Sequence, residues 1–227
     1  LHVLSSSREE NLFTGEVSLE QQRIELPAVS EEVHGLLLDP RQLWLYARNG
    51  RAMVDVFDLR KANLNGRYEL LKDADNRITT ATSLLGGISI LFGDAKGGIQ
   101  QWFMVRGNEG SPSFQKVRSF QLDNAPVLQI LPEERRKGFI AVDAAGTLGI
   151  FHSTAQRTLL KQSVADSATL AALSPRASRV LLEHAGGLQS FLIDNPHPEV
   201  SWSALWGKVW YESYQEPDYV WQSTSAN

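Results

Sequence analysis

The chain has 227 residues and a formal charge of -4, from 22 Lys and Arg against 26 Asp and Glu. It therefore lacks the excess positive field that holds a polyanion, and nucleic acid is not an expected partner. Cysteine is absent, which excludes disulfides, thiolate zinc centres, Fe–S clusters and cysteine nucleophiles together.

Taken in chain order, residues 1–27 read as three short strands, 1–7, 12–19 and 23–26, of a blade whose innermost strand is missing. Four further groups of four strands follow. The first is 33–38, 43–47, 52–59 and 67–73, and the second is 78–85, 88–93, 98–105 and 113–122. The third is 125–131, 138–142, 147–153 and 157–164. The fourth is 168–174, 179–183 and 188–194, with a weak outer strand near 199–202. Prolines at Pro40, Pro132 and Pro175 stop the opening strands, because proline cannot donate to a ladder. No apolar stretch approaches the roughly 20 residues of a membrane-crossing helix. The five histidines, His2, His34, His152, His184 and His197, show no i,i+4 pair, so no metal or cofactor is expected.

The groups share one grammar. Asp94, Asp143 and Glu183 are each followed three residues later by Gly (Gly97, Gly146, Gly186), then by an apolar residue, then by an aromatic (Trp102, Phe151, Phe191). A looser copy runs from Asn49-Gly50 to Phe57-Asp58. The turn glycines are separated by 47, 49 and 40 positions, close to the blade period of about 40–50 residues in propeller repeats. The predicted fold is all-β: a β-propeller of four-stranded antiparallel blades over 1–200, as an arc of a larger propeller whose first blades precede Leu1. The turns resemble those of WD-type propellers, with Trp102 matching the third-strand Trp and Phe57-Asp58 a Phe version of the Trp-Asp pair. No Gly-His dipeptide precedes a blade, so that family's side-chain network is not expected.

Residues 201–227 are different. Trp202, Trp206 and Trp210 stand at i, i+4 and i+8, which predicts a short helix over 201–211 with three indoles on one face. Tyr211, Tyr214, Tyr219 and Trp221 continue an aromatic, membrane-proximal or interfacial segment. The string from Trp202 to Tyr214, followed by Glu216 to Ala226, resembles the segment just before the core transmembrane helices of long-form phosphate ABC transporter permeases of proteobacteria (PstC type). The resemblance covers about a tenth of the chain. It implies a non-catalytic domain at the periplasmic face of the bacterial inner membrane. The partners it implies are the transmembrane part of the same permease, the partner permease subunit, the periplasmic phosphate-binding protein and, through the aromatics, the membrane surface.

Two other readings come from the residues. One is a free-standing propeller scaffold for protein partners. The other is a propeller glycoside hydrolase, which needs two carboxyls about 5–9.5 Å apart, with Asp94, Asp143 and Glu183 as candidates. Acidic residues at repeated turn positions are better explained as caps of backbone N–H groups, so no enzyme is expected. Arg135-Arg136-Lys137 reads as a solvated turn, and Gly86-Gly87 and Gly97-Gly98 lack the Gly-Lys-Ser/Thr ending of a phosphate loop.

Overall fold

The computed structural model describes residues 1–15, 17–84, 86–106, 112–133, 137–174, 178–185, 187–193 and 222–224. The strands are β1 (His2–Glu10), β2 (Val17–Glu25), β3 (Val33–Leu38), β4 (Trp44–Asn49), β5 (Met53–Asp58), β6 (Asn63–Glu69), β7 (Ile78–Ser83), β8 (Ser89–Asp94) and β9 (Gly98–Arg106). They continue with β10 (Pro112–Gln121), β11 (Val127–Pro132), β12 (Gly138–Asp143), β13 (Thr147–His152), β14 (Arg157–Ser163), β15 (Leu170–Leu173), β16 (Arg179–His184), β17 (Gly187–Leu192) and β18 (Gln222–Thr224). Among the described residues they form one two-stranded sheet, β1-β2, and four meanders: β3-β4-β5-β6, β7-β8-β9-β10, β11-β12-β13-β14 and β15-β16-β17-β18. The four blades expected from the repeat are present, and the chain divides into two compact units.

The first unit is Leu1–Lys72 with Arg106–Phe114, so β10 begins in it and continues in the second. Its blade buries Leu45, Ala47, Phe57 and Leu59 under Leu26, with Leu1, Val3 and Ile24 from the base of the β1-β2 hairpin packed against them. The opening segment is thus two nine-residue strands paired from His2↔Glu25 to Glu10↔Val17, not three. Leu12, read as a strand residue, lies in the connecting turn. Alternation in sequence marks extended chain but not what covers it. Here only the base of the hairpin is covered.

The second unit, Asp73–Val105 with Gln115–Asn227, holds the other three blades. Side chains alternate across a strand, so each blade must bury two faces. One face of β12 and β13, with Phe139, Ala141 and Phe151, packs on Leu91 and Ile99 of the preceding blade. The other face, with Ile140, Val142, Leu148 and Ile150, packs on Val180, Leu182 and Phe191 of the next. Phe120, Phe139 and Phe151 form the aromatic centre of the first of these seams, with ring centroids 5.0–5.6 Å apart. Polar bonds pin the innermost strands: Thr79 Oγ1 donates to Val127 O (2.7 Å), and Gln129 Oε1 accepts the Ala171 N–H. Across the first of these seams, between the second and third blades, buried Gln101 bridges Ser89 Oγ (2.9 Å) and Ser153 Oγ (2.8 Å).

Residues 199–202 lie outside the described residues. The fourth strand of the last blade is supplied by β18, paired as Leu188↔Thr224 and Ser190↔Gln222. The predicted helix over 201–211 also lies outside the described residues.

The turn between β12 and β13 requires its glycine twice over. Gly146 has φ +79°, and a Cβ there would collide with Ala165 O, where the chain leaving β14 passes. Gly15 has a similar φ of +71°, but a Cβ there would meet nothing within 4 Å. Gly15→Ala should therefore cost about 1 kcal/mol, from backbone conformation alone. Gly146→Ala should cost clearly more, because a carbonyl must also move. Urea denaturation of the two variants checks the order.

Candidate functional site

The hairpin tip stands out in the first unit. Asn11 Oδ1 accepts the N–H of Phe13 (2.9 Å) and of Thr14 (3.3 Å), and Gly15 N–H donates to Asn11 O (2.8 Å). An Asx turn closed by a left-handed glycine therefore fixes the tip. It presents Leu12 and Phe13 at 93% and 99% exposure, with Leu4, Val17 and Leu19 also exposed along the strands. Large apolar side chains left exposed together on one element mark an interaction surface. Glu9, Glu10, Asn11, Val17 and Ser18 line a shallow recess beside the tip. Sequence reasoning passed over this site, although an apolar pair inside an Asn-to-Gly turn was its visible sign.

A second surface forms at one end of the blade in the same unit. Asp39 Oδ1 accepts the N–H of Leu43 (2.6 Å) and Trp44 (2.9 Å), while its Oδ2 faces Arg41 Nε at 3.5 Å. Trp44 pairs with Asp58 across β4 and β5. Asp58 receives Arg60 in a fork, Nε to Oδ1 at 3.0 Å and Nη2 to Oδ2 at 2.8 Å, and the guanidinium carbon sits 5.4 Å above the Trp44 ring. The buried carboxylates thus hold two half-exposed guanidinium groups at this rim. The Asp58 carboxyl is held below the usual carboxylate range, first by the Arg60 hydrogen bonds, with burial opposing. Phe57-Asp58, singled out by sequence, lies here, with Phe57 fully buried.

The turn carboxylates are placed differently from one another. Asp94 Oδ1 accepts Lys96 N–H (2.8 Å) and Gly98 N–H (2.9 Å), and Asp143 Oδ1 accepts Thr147 N–H (2.8 Å). Both cap their own hairpins. Burial pushes the Asp143 carboxyl above the usual range against these bonds. Glu183 does not repeat them. The turn after β16 is one residue shorter, closing on His184↔Gly187, so His184 takes the position of Asp143 and Glu183 stands exposed in the strand opposite Leu170. Gly50 also departs, as the first turn residue where Gly97 and Gly146 are the third. Of the basic run only Lys137 is described, its carbonyl accepting Ser153 N–H (2.8 Å). Trp202, Trp206, Trp210, Tyr211, Tyr214, Tyr219 and Trp221 lie outside the described residues. Among the described residues, no group of three His, Asp or Glu is placed to hold a metal, and no helix is long and apolar enough to cross a membrane.

The two shifted carboxyls predict opposite pH responses. Asp143, raised in the fold, contributes most when protonated and loses that contribution as pH rises through its folded value. Asp143→Asn should therefore gain stability relative to the parent as pH goes from about 4 to 7. Asp58, lowered in the fold, contributes above the ordinary carboxylate range and loses that contribution as pH falls through its folded value. Asp58→Asn should be destabilised at neutral pH, with the deficit shrinking on acidification. Urea titrations from about pH 7 down to about pH 2, spanning the ordinary carboxylate range and the region below it, check both signs.

No protein-family model matches the sequence, and no curated protein matches it. Solved structures do match its fold. The structure of U3-55K aligns at TM-score 0.60 and 9% identity over 76% of this chain and 52% of that one. The crystal structure of the RRP9 WD40 repeats aligns at TM-score 0.60 and 10% identity over 76% of this chain and 51% of that one. The chain thus spans about half the length of each. At these identities the likeness shows the fold alone: four-stranded antiparallel blades of the WD40 β-propeller kind.

Proposed function

We propose that this chain is a non-catalytic propeller scaffold that docks a protein partner through the tip of its β1-β2 hairpin. The observation that carries the reading is the pair Leu12 and Phe13, almost fully exposed on a turn fixed by Asn11. The WD40-type fold supports it in general terms, since such folds present loops on a stable frame. Glu9 and Glu10 flank the tip and disfavour insertion into an anionic lipid surface. A protein partner with an apolar pocket fits better. The turn carboxylates Asp94 and Asp143 are engaged with their own backbones, which favours a scaffold over a hydrolase.

A more specific reading rests on the aromatic string 202–226 and its resemblance to phosphate ABC transporter permeases. On this reading the chain is a domain at the periplasmic face of the inner membrane, regulatory or docking in role. The hairpin's partner is then the periplasmic phosphate-binding protein, with the partner permease subunit and the transmembrane part of the same protein as neighbours.

Replacing both tip residues (Leu12→Ser with Phe13→Ser) tests the docking site. Affinity for a captured partner, with the phosphate-binding protein as the first one assayed by calorimetry, should fall at least about tenfold, because burying each side chain is worth roughly 1.5–3 kcal/mol. Unfolding stability should stay within about 0.5 kcal/mol, as the tip touches no core. Unchanged affinity would remove the hairpin from the interface. Failure of the phosphate-binding protein to bind either form would remove the permease reading and leave the scaffold.

A further inference from the structure

The β1-β2 hairpin is a two-stranded sheet among the described residues, so each of its strands has an edge without a neighbour. Which backbone groups face outward follows from the register. Leu26 N–H donates to Leu1 O (3.0 Å), and the pairing runs on from there without a shift, through Val3 with Ile24 to Glu10 with Val17. In an antiparallel pair, residues bonded to the partner strand alternate with residues whose N–H and C=O point away. The odd positions of β1 are therefore bonded to β2, and His2, Leu4, Ser6, Arg8 and Glu10 turn their backbone groups to the open edge.

These five residues are exposed and form a self-complementary set. When β1 pairs antiparallel with a second β1 about a two-fold axis at Ser6, His2 lies opposite Glu10, Leu4 opposite Arg8, and Ser6 opposite itself. Each then meets a residue whose own backbone groups point outward, so every pair can exchange both of its bonds. A displaced register loses at least one pair, and one centred on Arg8 sets two guanidinium groups against each other. Between the bonded pairs Val3 meets Glu9 and Ser5 meets Ser7, so no like charges face one another and the centre is the small Ser5-Ser6-Ser7 run. Leu4, 78% exposed in the single chain, comes to lie between the stems of Arg23 on its own β2 and Arg8 of the second copy. The β2 edge is a poorer match. Paired about Gln21, it sets the Glu25 carboxylate opposite Val17, which offers it no donor.

We propose that the outer edge of β1 is a homodimerisation edge, on which a second copy of this chain adds its own β1 to form the four-stranded sheet β2-β1-β1-β2. An unpaired strand edge is a template for such addition, and a two-fold axis closes the contact at two copies. The tip residues Leu12 and Phe13 lie outside the paired span, so this edge is separate from the docking site of the tip.

Disulfide trapping tests the edge, because residues 1–227 contain no cysteine. In the protein expressed from its own gene and oxidised with glutathione, Ser6→Cys should give a link between residue 6 of two copies, read by mass spectrometry. Opposed residues of a hydrogen-bonded pair are about 5.5 Å apart at Cα, a distance that a disulfide spans. Gln21→Cys, at the centre of the β2 edge, should give at least about fivefold less of its own link. In co-expressed Leu4→Cys and Arg8→Cys chains, links from 4 to 8 should exceed links from 4 to 4 and from 8 to 8 at least about fivefold. A residue-6 link no more abundant than the residue-21 link overturns the proposal. A statistical mixture of links between positions 4 and 8 overturns it as well.

Discussion

Everything in this fold follows from the pleat. A strand sends successive side chains to opposite faces, so a blade inserted in a row must satisfy two neighbours at once. The third blade shows this most fully, with Phe139, Ala141 and Phe151 committed to one neighbour and Ile140, Val142, Leu148 and Ile150 to the other. Neither set forms a core alone. A single meander of this length would leave half of its apolar residues wet, so the stability of each blade is a property of its seams.

The polar residues that survive in these seams hold register rather than perform chemistry. Gln101 links Ser89 to Ser153 across a boundary otherwise filled by aliphatic side chains and phenylalanines, and each of these side chains is nearly inaccessible to water. A slip of one residue would turn all of them to the wrong face. Asp94 and Asp143 act locally, fixing the hairpin that sets where β9 and β13 begin. For Asp143 burial raises the cost of its charge, a cost the turn accepts in exchange for a fixed loop.

The sequence made the blades legible because strand length, turn glycine and closing aromatic recur together. Phe57, Phe151 and Phe191 occupy one register position, opposite Leu45, Phe139 and Val180. Legibility stopped where the signal depended on something other than local pattern. A turn shortened by one residue moved Glu183 from a cap to a strand face, and an acid three residues before a glycine looks the same in both cases. At the amino-terminal end, Leu4 and Leu19 have the composition of core residues, and only their lack of cover shows that they are not. The Arg60 fork on Asp58 was invisible because it depends on how the turn after β5 folds residue 60 back onto residue 58, which the strand pattern does not specify.

The hairpin tip and the fourth-blade face both leave apolar side chains exposed, and they differ in what each accepts. The hairpin tip is small and carried by two paired strands, with Leu12 and Phe13 adjacent in its turn and almost fully exposed. Such a shape enters a pocket. The fourth-blade face carries Glu183 between Leu170 and Leu188, next to the turn that joins β16 to β17. Leucines alone would accept any apolar sheet, including a second copy of the same face. A carboxylate at the turn end of that face raises the cost of covering it with a purely apolar sheet, because a buried charge needs a donor, so Glu183 sets a condition that leucines alone do not.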